Sequence, residues 1–355
     1  MKKVYIILSI ILVLVILTGI GAFVWYKSAL SPMSKTGEET TIVTIPEGTG
    51  VSGIANILEE NNVIKNAFAC KIYCKISSIA NLQAGKYEFA KTEDVPEILA
   101  RISAGDVVSD EISITFIEGK NIKWYAKEIA EHTNNTEEDV FDLLEDEKYI
   151  DSLIEKYWFL TDEIKSEDIY YPLEGYLLPD TYTFENKDVS VETIFNIILN
   201  FTEKYLDEHK EEFKYTVHQT LTLASLAELE GKTTEDRAEI IGVFFNRINK
   251  KMSLGSDVTT YYAFGVDMAE SDLTKKQINT YNPYNTRGPE MSGKIPIGPI
   301  CNMSKSAIEA TLNPTETEAV YFVADKNGKV YFTNTNDEHN DKIAELKKAD
   351  LWFTY

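Results

Sequence analysis

Basic charge is scarce in this chain. Over 355 residues it carries 35 Lys and Arg against 57 Asp and Glu, a formal net charge of −22. That balance excludes a phosphate-tracking nucleic-acid binder, which needs a basic face. It also speaks against electrostatic adhesion to anionic lipid, so any membrane attachment has to be hydrophobic. Cysteine is nearly absent, with only Cys70, Cys74 and Cys301. An odd count of three is no disulfide framework. Cys70 and Cys74, four apart on one helix face, have poor disulfide geometry. The four histidines, His132, His209, His218 and His339, fall in no metal-ligand spacing, and no metal or organic cofactor is expected. G-x-S-x-G, Walker A and G-x-G-x-x-G patterns are all missing. With 44 % hydrophobic and 26 % charged residues the chain is not disordered, and its length allows two or three domains.

Long apolar runs are missing too, with one exception at the start. Val4 to Tyr26 is 23 residues without a charge, long enough to cross a hydrocarbon core of about 30 Å. Trp25 and Tyr26 close it as interfacial aromatics do. A cleaved signal peptide would have a shorter apolar region and an A-x-A site, which is missing. Lys2 and Lys3 favour a cytoplasmic N-terminus, against which Lys27 weighs. The expected arrangement is a single-pass protein of the cell membrane with its body outside the cytoplasm. Residues 1–27 form the cytoplasmic end and transmembrane helix, and 28–40 a linker. A first module spans 41–107, and the remainder, 108–355, forms a second domain.

The sequence repeats itself after the linker. Thr41–Ile45 alternates like a strand, Pro46-Glu47-Gly48 turns, and Ile54, Ala55 and Leu58 fall at helical spacing. Ile112–Phe116 is again a strand, followed by Ile117-Glu118-Gly119. Tyr125, Ala126 and Ile129 then repeat the helix at a constant offset of 71. Gly85-Lys-Tyr87-Glu-Phe89 precedes a helix over 96–103, and Asp180-Thr-Tyr182-Thr-Phe184 precedes one over 191–199. The pattern predicts a duplicated unit. The first copy is a β-α-α-β module, and the second carries an acidic helical insert over Glu137–Asp168. Past Tyr215 helices dominate. Val217–Glu230 ends at Gly231, read as a C′ glycine, and Thr233 or Thr234 caps the next helix. Asn327-Gly328 marks a type I′ hairpin between Val320–Ala324 and Lys329–Phe332. The fold class is α+β.

One helix carries a chemical anomaly. Over Val217–Glu230, Val217, Leu221 and Ala224 share one sector, and Glu228 lies in it too. The helix is apolar nearly all round, so a carboxylate there is buried and costly unless neutral or partnered. Desolvation and the negative helix C-terminus would both raise its pKa, as suits a general acid. An isolated acid of this kind tolerates Glu228→Gln without loss of stability. The alternative is a structural Glu bonded to a backbone group or to Arg237. Glu230 is the weaker rival, since Gly231 beside it suggests exposure. Three further clusters stand out: Glu174 and Asp180 around a tight turn, Gly255-Ser256-Asp257 entering a helix with Ser256 or Asp257 as N-cap, and Tyr284-Asn285-Thr286-Arg287. Loop Asn and Tyr suit sugar binding, through hydrogen bonds and a stacking face. Each cluster also has a plain reading as a turn or a cap.

Together these residues resemble a known family, the endolytic murein transglycosylases or YceG-like proteins. The runs that carry the resemblance begin with Glu174-Gly-Tyr-Leu-Leu-Pro-Asp-Thr-Tyr182, Leu223-Ala-Ser-Leu-Ala-Glu228-Leu-Glu230, and Arg237 through Asn246-Arg247. Met252–Tyr261, Tyr284-Asn285-Thr286, Ile295–Asn302, Leu312-Asn-Pro314, Tyr321–Ala324 and Glu338-His339-Asn340 follow. The resemblance implies a LysM-like module at about 40–107 and then a catalytic domain. It also implies endolytic cleavage of nascent peptidoglycan glycan strands, leaving 1,6-anhydro-MurNAc ends. Its catalytic glutamate falls on Glu228, with Glu174, Ser256, Asp257, Tyr284, Asn285 and Asn246 lining the cleft. Cell-wall synthases are the candidate partners. Leu229 stands where the family often has Lys, and Met303 where it usually has Pro. The competing readings are a non-catalytic peptidoglycan-binding scaffold and a muramidase that uses water.

Overall fold

The computed structural model describes residues 2–352, with side chains from Val4 onward. The side chains of Lys2 and Lys3, on which the expected orientation rests, lie outside that set, as do Phe353–Tyr355. The chain divides into two compact units, Met1–Asp110 and Glu111–Tyr355.

The first unit opens with α1 (Lys2–Leu30), whose Val4–Leu30 stretch is long and apolar enough to cross a membrane. β1 (Thr40–Ile45), α2 (Val51–Glu60), α3 (Ala67–Ile76), β2 (Gly85–Ala90) and α4 (Val95–Ala104) follow. β1 and β2 pair antiparallel. Ile54, Ala55 and Leu58 of α2, Cys70 and Cys74 of α3, and Ile98, Leu99 and Ile102 of α4 form one core with Tyr87 and Phe89. Asp94 caps α4 in a reciprocal box with Glu97, and Gly105 ends it in the left-handed conformation that glycine adopts freely. The stretch expected as a linker begins inside α1. Ala29 and Leu30 are buried in the core of this unit, and α1 packs against α3. The end of the apolar helix is thus fixed to its module.

In the second unit β3 (Ile112–Thr115) precedes α5 (Ile122–His132), α6 (Glu137–Glu145) and α7 (Glu147–Lys156). β4 (Thr181–Phe184) then pairs antiparallel with β3, and α8 (Val191–Glu208) follows. The two strand pairs share one register. Val43 faces Tyr87 and Thr41 faces Phe89 in the first, while Ile114 faces Tyr182 and Ile112 faces Phe184 in the second. One hydrogen bond repeats as well. The Tyr87 hydroxyl donates to the Gln83 carbonyl (2.9 Å), and the Tyr182 hydroxyl donates to the Leu178 carbonyl (2.7 Å). A shared register and a shared tyrosine bond are difficult to reach by chance, because a one-residue slip would turn every side chain over. The acidic insert within the second copy is α6, α7 and a short 3-10 turn, Asp162–Lys165.

The rest of the unit is α9 (Val217–Glu230), α10 (Thr234–Asn249), α11 (Asp257–Phe264), α12 (Lys275–Ile278), α13 (Lys305–Leu312), the β5 (Tyr321–Ala324)–β6 (Val330–Thr333) hairpin and α14 (Asn336–Lys348). The hairpin turn differs from the expected type I′. Of Asn327 and Gly328 only Gly328 has positive φ (85°), and the Asp325 side chain accepts the Asn327 and Lys329 amides across a longer loop. α9 is the central helix, packed by α10, α11 and α13. Thr216 and Gln219 cap it reciprocally, and every residue from Thr220 to Ala227 is buried. Its internal polar groups are satisfied. The Thr222 hydroxyl donates to the His218 carbonyl, and the Ser225 hydroxyl donates to the Thr222 carbonyl while accepting the Ile300 amide. His218 Nε2 donates to the Ile297 carbonyl (2.6 Å), so Nδ1 accepts from the Tyr176 hydroxyl (2.7 Å).

Candidate active site

Glu228 lies in the last turn of α9 with its side chain 7 % exposed, and it has partners. One carboxylate oxygen accepts from Arg237 Nη2 (2.7 Å). The other accepts the Ser304 amide (3.0 Å) and the Ser304 hydroxyl (2.5 Å). Ser304 is the N-cap of α13, so the carboxylate also sits at a positive helix end. The expectation of an isolated buried acid is therefore corrected, since donors compensate the charge removed from water. Arg237 is fixed in turn, donating to the Gly231 carbonyl (3.1 Å) and the Ser306 hydroxyl (2.6 Å). Gly231 is not the left-handed C′ glycine of the sequence reading, because its φ is −111°. It is needed for closeness: a Cβ there would meet Arg237 Cγ at 2.8 Å and Arg237 N at 3.0 Å.

Two loops converge beside this pair. Gly119 follows β3 with φ +73°, and a Cβ on it would lie 3.3 Å from Leu229 Cδ2 and 3.8 Å from Glu228 Cγ. Its amide donates to the Asn302 carbonyl (2.8 Å), and the Asn302 amide donates to the Lys120 carbonyl (2.8 Å). Asn302 is fully buried and accepts the Gly175 (2.9 Å) and Leu177 (3.1 Å) amides, which locks the Glu174 turn to the loop before α13.

A cleft of about 520 Å³ opens from the Gly119–Leu229 edge, lined by Lys120, Lys123, Trp124, Tyr170, Tyr171, Val258, Tyr261 and Tyr262. Such a wall offers stacking faces to sugar rings. Glu174 lies buried behind it. Its carboxyl accepts the Ile122 amide (3.1 Å), at the start of α5, and the Tyr262 hydroxyl (3.2 Å). Burial pushes Glu174 up to about 8. The Ile122 amide, the Tyr262 hydroxyl and Lys123 act the other way.

The remaining candidates separate. Ser256 starts α11, yet its hydroxyl leaves the cap free and donates to Glu230 (2.6 Å). Glu230, read from sequence as exposed, is half-buried, and burial raises its pKa with Ser256 opposing. Asp257 is exposed and paired with Arg287. Tyr284 is fully buried, behind Tyr170 (4.8 Å) and Tyr262 (5.0 Å), so it backs the wall instead of facing open space. Asn285 is fully buried as well. It accepts from Thr260 (2.6 Å) and donates to the Gln277, Ile278 and Thr280 carbonyls, which makes it a loop staple. Asn246 donates to the Thr317 (2.7 Å) and Ala319 (2.9 Å) carbonyls, clipping α10 to the strand entry. For these last two the expected place on the cleft wall is corrected. Planar amides serve backbone as readily as sugar, and here both side-chain NH2 groups donate to backbone carbonyls. Sequence reasoning missed Ser304 and Tyr262. The Ser304 N-cap ahead of α13 was the one available signal.

The fold has known counterparts. The YceG-like family model matches residues 43–345, and the chain belongs to that family. It is 38 % identical over 324 residues to an endolytic murein transglycosylase of Bacillus subtilis, covering 90 % of this chain and 88 % of that one. An endolytic murein transglycosylase of Streptococcus pneumoniae is 30 % identical over 96 % of this chain, which spans 65 % of that relative. Among solved structures, a YceG-like protein of Listeria monocytogenes matches at 35 % identity and TM-score 0.61, covering 86 % of this chain and all of that one.

Proposed function

We propose that this chain is a membrane-anchored endolytic lytic transglycosylase that cleaves the MurNAc–GlcNAc bond of nascent peptidoglycan, with Glu228 as its single general acid and base. The observation that carries the reading is the Glu228 carboxylate. It is fixed by Arg237 and Ser304, next to Leu229, which lines a cleft walled by Trp124, Tyr170 and Tyr262. Protonated Glu228 gives its proton to the glycosidic oxygen, and the C1–O bond breaks. The carboxylate so formed is the state that Arg237 and the Ser304 amide are placed to hold. It then takes the proton of the muramyl 6-hydroxyl as that oxygen bonds to C1. The Ser304 hydroxyl can turn between donating to the carboxylate and accepting from the acid. Intramolecular attack gives an effective molarity worth about 7–11 kcal/mol of barrier.

Around this centre the remaining assignments form one scheme. Val4–Tyr26 spans the membrane with the N-terminus in the cytoplasm. The first unit is a LysM-like module over residues 41–107, holding glycan near the membrane where synthases make it. Tyr262 forms the cleft wall, with Glu174 and Tyr284 behind it, and Ser256 and Asp257 flank it. Purified full-length protein and Glu228→Gln are incubated with sacculi, and the products are read by mass spectrometry. The reading expects internal cleavage with anhydro ends from the wild type and none from the variant. Equal activity in both would remove Glu228 from the mechanism, and inactivity of both would favour the scaffold.

A further inference from the structure

The first unit carries a local exception to the chain's acidity. From Asn61 to Tyr87 there is no acidic residue, while Lys65, Lys71, Lys75 and Lys86 are present. α3 occupies the middle of that stretch and is apolar on two sides. Cys70 and Cys74 face the core, whereas Phe68 (63 % exposed) and Ile76 (71 % exposed) point away, with half-buried Ile72 between them at the same four-residue spacing. Lys71 and Lys75 border this second stripe. Two exposed large apolar side chains on one short helix are unusual unless something covers them.

The position of α3 indicates what does. Near its start, Lys65 Nζ donates to the Ser31 hydroxyl (2.7 Å), just past the end of α1. Farther along, Cys70, Tyr73 and Cys74 share a core with Tyr26, the last aromatic of the apolar span. Lys65 thus lies beside Ser31 while Cys70, Tyr73 and Cys74 lie near Tyr26, so α3 runs back toward the span. Ser31 lies only about 6 Å along the helix axis beyond Lys27, at 1.5 Å per residue. The far end of α3, with Lys75 and Ile76, therefore reaches the level of Tyr26, where interfacial aromatics sit.

We propose that α3 lies in the membrane interface beside α1, with Phe68, Ile72 and Ile76 entering the acyl boundary and Lys71 and Lys75 meeting anionic headgroups. The inference rests on α1 being a membrane span. It makes the first unit a module held against the bilayer by a second contact instead of swinging on a tether, and it accounts for Ala29 and Leu30 being buried in the module.

The test uses full-length protein in vesicles of phosphatidylcholine with or without phosphatidylglycerol. A photoreactive phenylalanine analogue is placed at Leu12, Phe68, Ile76 or the exposed turn residue Glu47, and lipid adducts are measured by mass spectrometry. Adducts are expected at Leu12, Phe68 and Ile76, several-fold above Glu47. Lys75→Glu should lower those at Phe68 and Ile76 several-fold in anionic vesicles and leave Leu12 unchanged. Adducts at Leu12 alone would overturn the α3 contact and leave the anchor standing. Protein adducts in place of lipid at Phe68 and Ile76 would overturn it in favour of a protein partner. Failure at Leu12 would remove the anchor, and the proposal with it.

Discussion

Glu228 and Glu174 both place a carboxyl at the start of a helix, α13 and α5 respectively, but of the two only Glu228 sits in an ion pair. Arg237 lies 2.7 Å from Glu228, whereas Glu174 has the Ile122 amide and the Tyr262 hydroxyl and is nearly without exposure. Burial pushes Glu174 up to about 8, with the helix-start amide only partly opposing it. For Glu174 the start of a helix does not offset full desolvation, and no ion-pair partner stands beside it, whereas Glu228 has an arginine nine residues along the chain. The division of labour follows. The Glu228 carboxyl is oriented by Arg237 and Ser304. A buried, largely protonated acid holds the wall.

The comparison breaks most visibly at Glu228. Glu228→Gln should lower the release of anhydro-muropeptides at least about 10²-fold, the lower range for general acid–base catalysis. Its stability should fall by about 1–3 kcal/mol, because the new amide turns an N–H toward a donor that was accepted before. Thermal melting checks this, and an unchanged or higher melting temperature would restore the isolated acid of the sequence reading.

Removing the cation tests the contrast directly. Arg237→Leu should cost about 3 kcal/mol, since a charged partner is left nearly buried and unpaired. Denaturant titration reads this. Gly231→Ala should act in the same direction but more weakly, by about 1–2 kcal/mol, because the added Cβ pushes on Arg237 and the helix can yield.

The effect at Glu174 is on pH dependence and sharpens the other side. Its folded pKa is raised, so between about 4.5 and about 8 the folded state binds a proton that the unfolded state has lost. Stability contributed by this group is thus full at low pH and falls as pH rises through that window. Glu174→Gln should flatten the decline in melting temperature between pH 5 and pH 8. Some slope will stay, because Glu230 is raised in the same direction. Equal slopes in the two proteins would mean that Glu174 is charged in the fold.

Much of this was legible in the sequence because it is local. The β3–α5 and β1–α2 phrases share spacing, and the structure gives them a common strand register. The helical wheel of α9 sets Glu228 in the apolar sector of Val217, Leu221 and Ala224 without any tertiary knowledge. What stayed hidden is long-range. Ser304 reaches Glu228 across 76 residues, and Asn302 reaches the Gly175 amide across 127. Gly231 misled twice, suggesting a left-handed cap and an exposed Glu230. Its role is steric, a close approach that no periodicity displays. Asn285 and Asn246 carry the composition of a sugar site, but their amides are consumed by neighbouring carbonyls, and composition alone does not reveal that.

The most direct test of the single-carboxylate account is cleavage of purified glycan strands by the full-length protein in ¹⁸O-water, with the new ends read by mass spectrometry. If Glu228 passes the proton and the muramyl 6-hydroxyl is the nucleophile, no solvent oxygen enters the bond. The ends should then be 1,6-anhydro-MurNAc without label. Reducing ends carrying ¹⁸O would contradict the account, even if Glu228 proved essential.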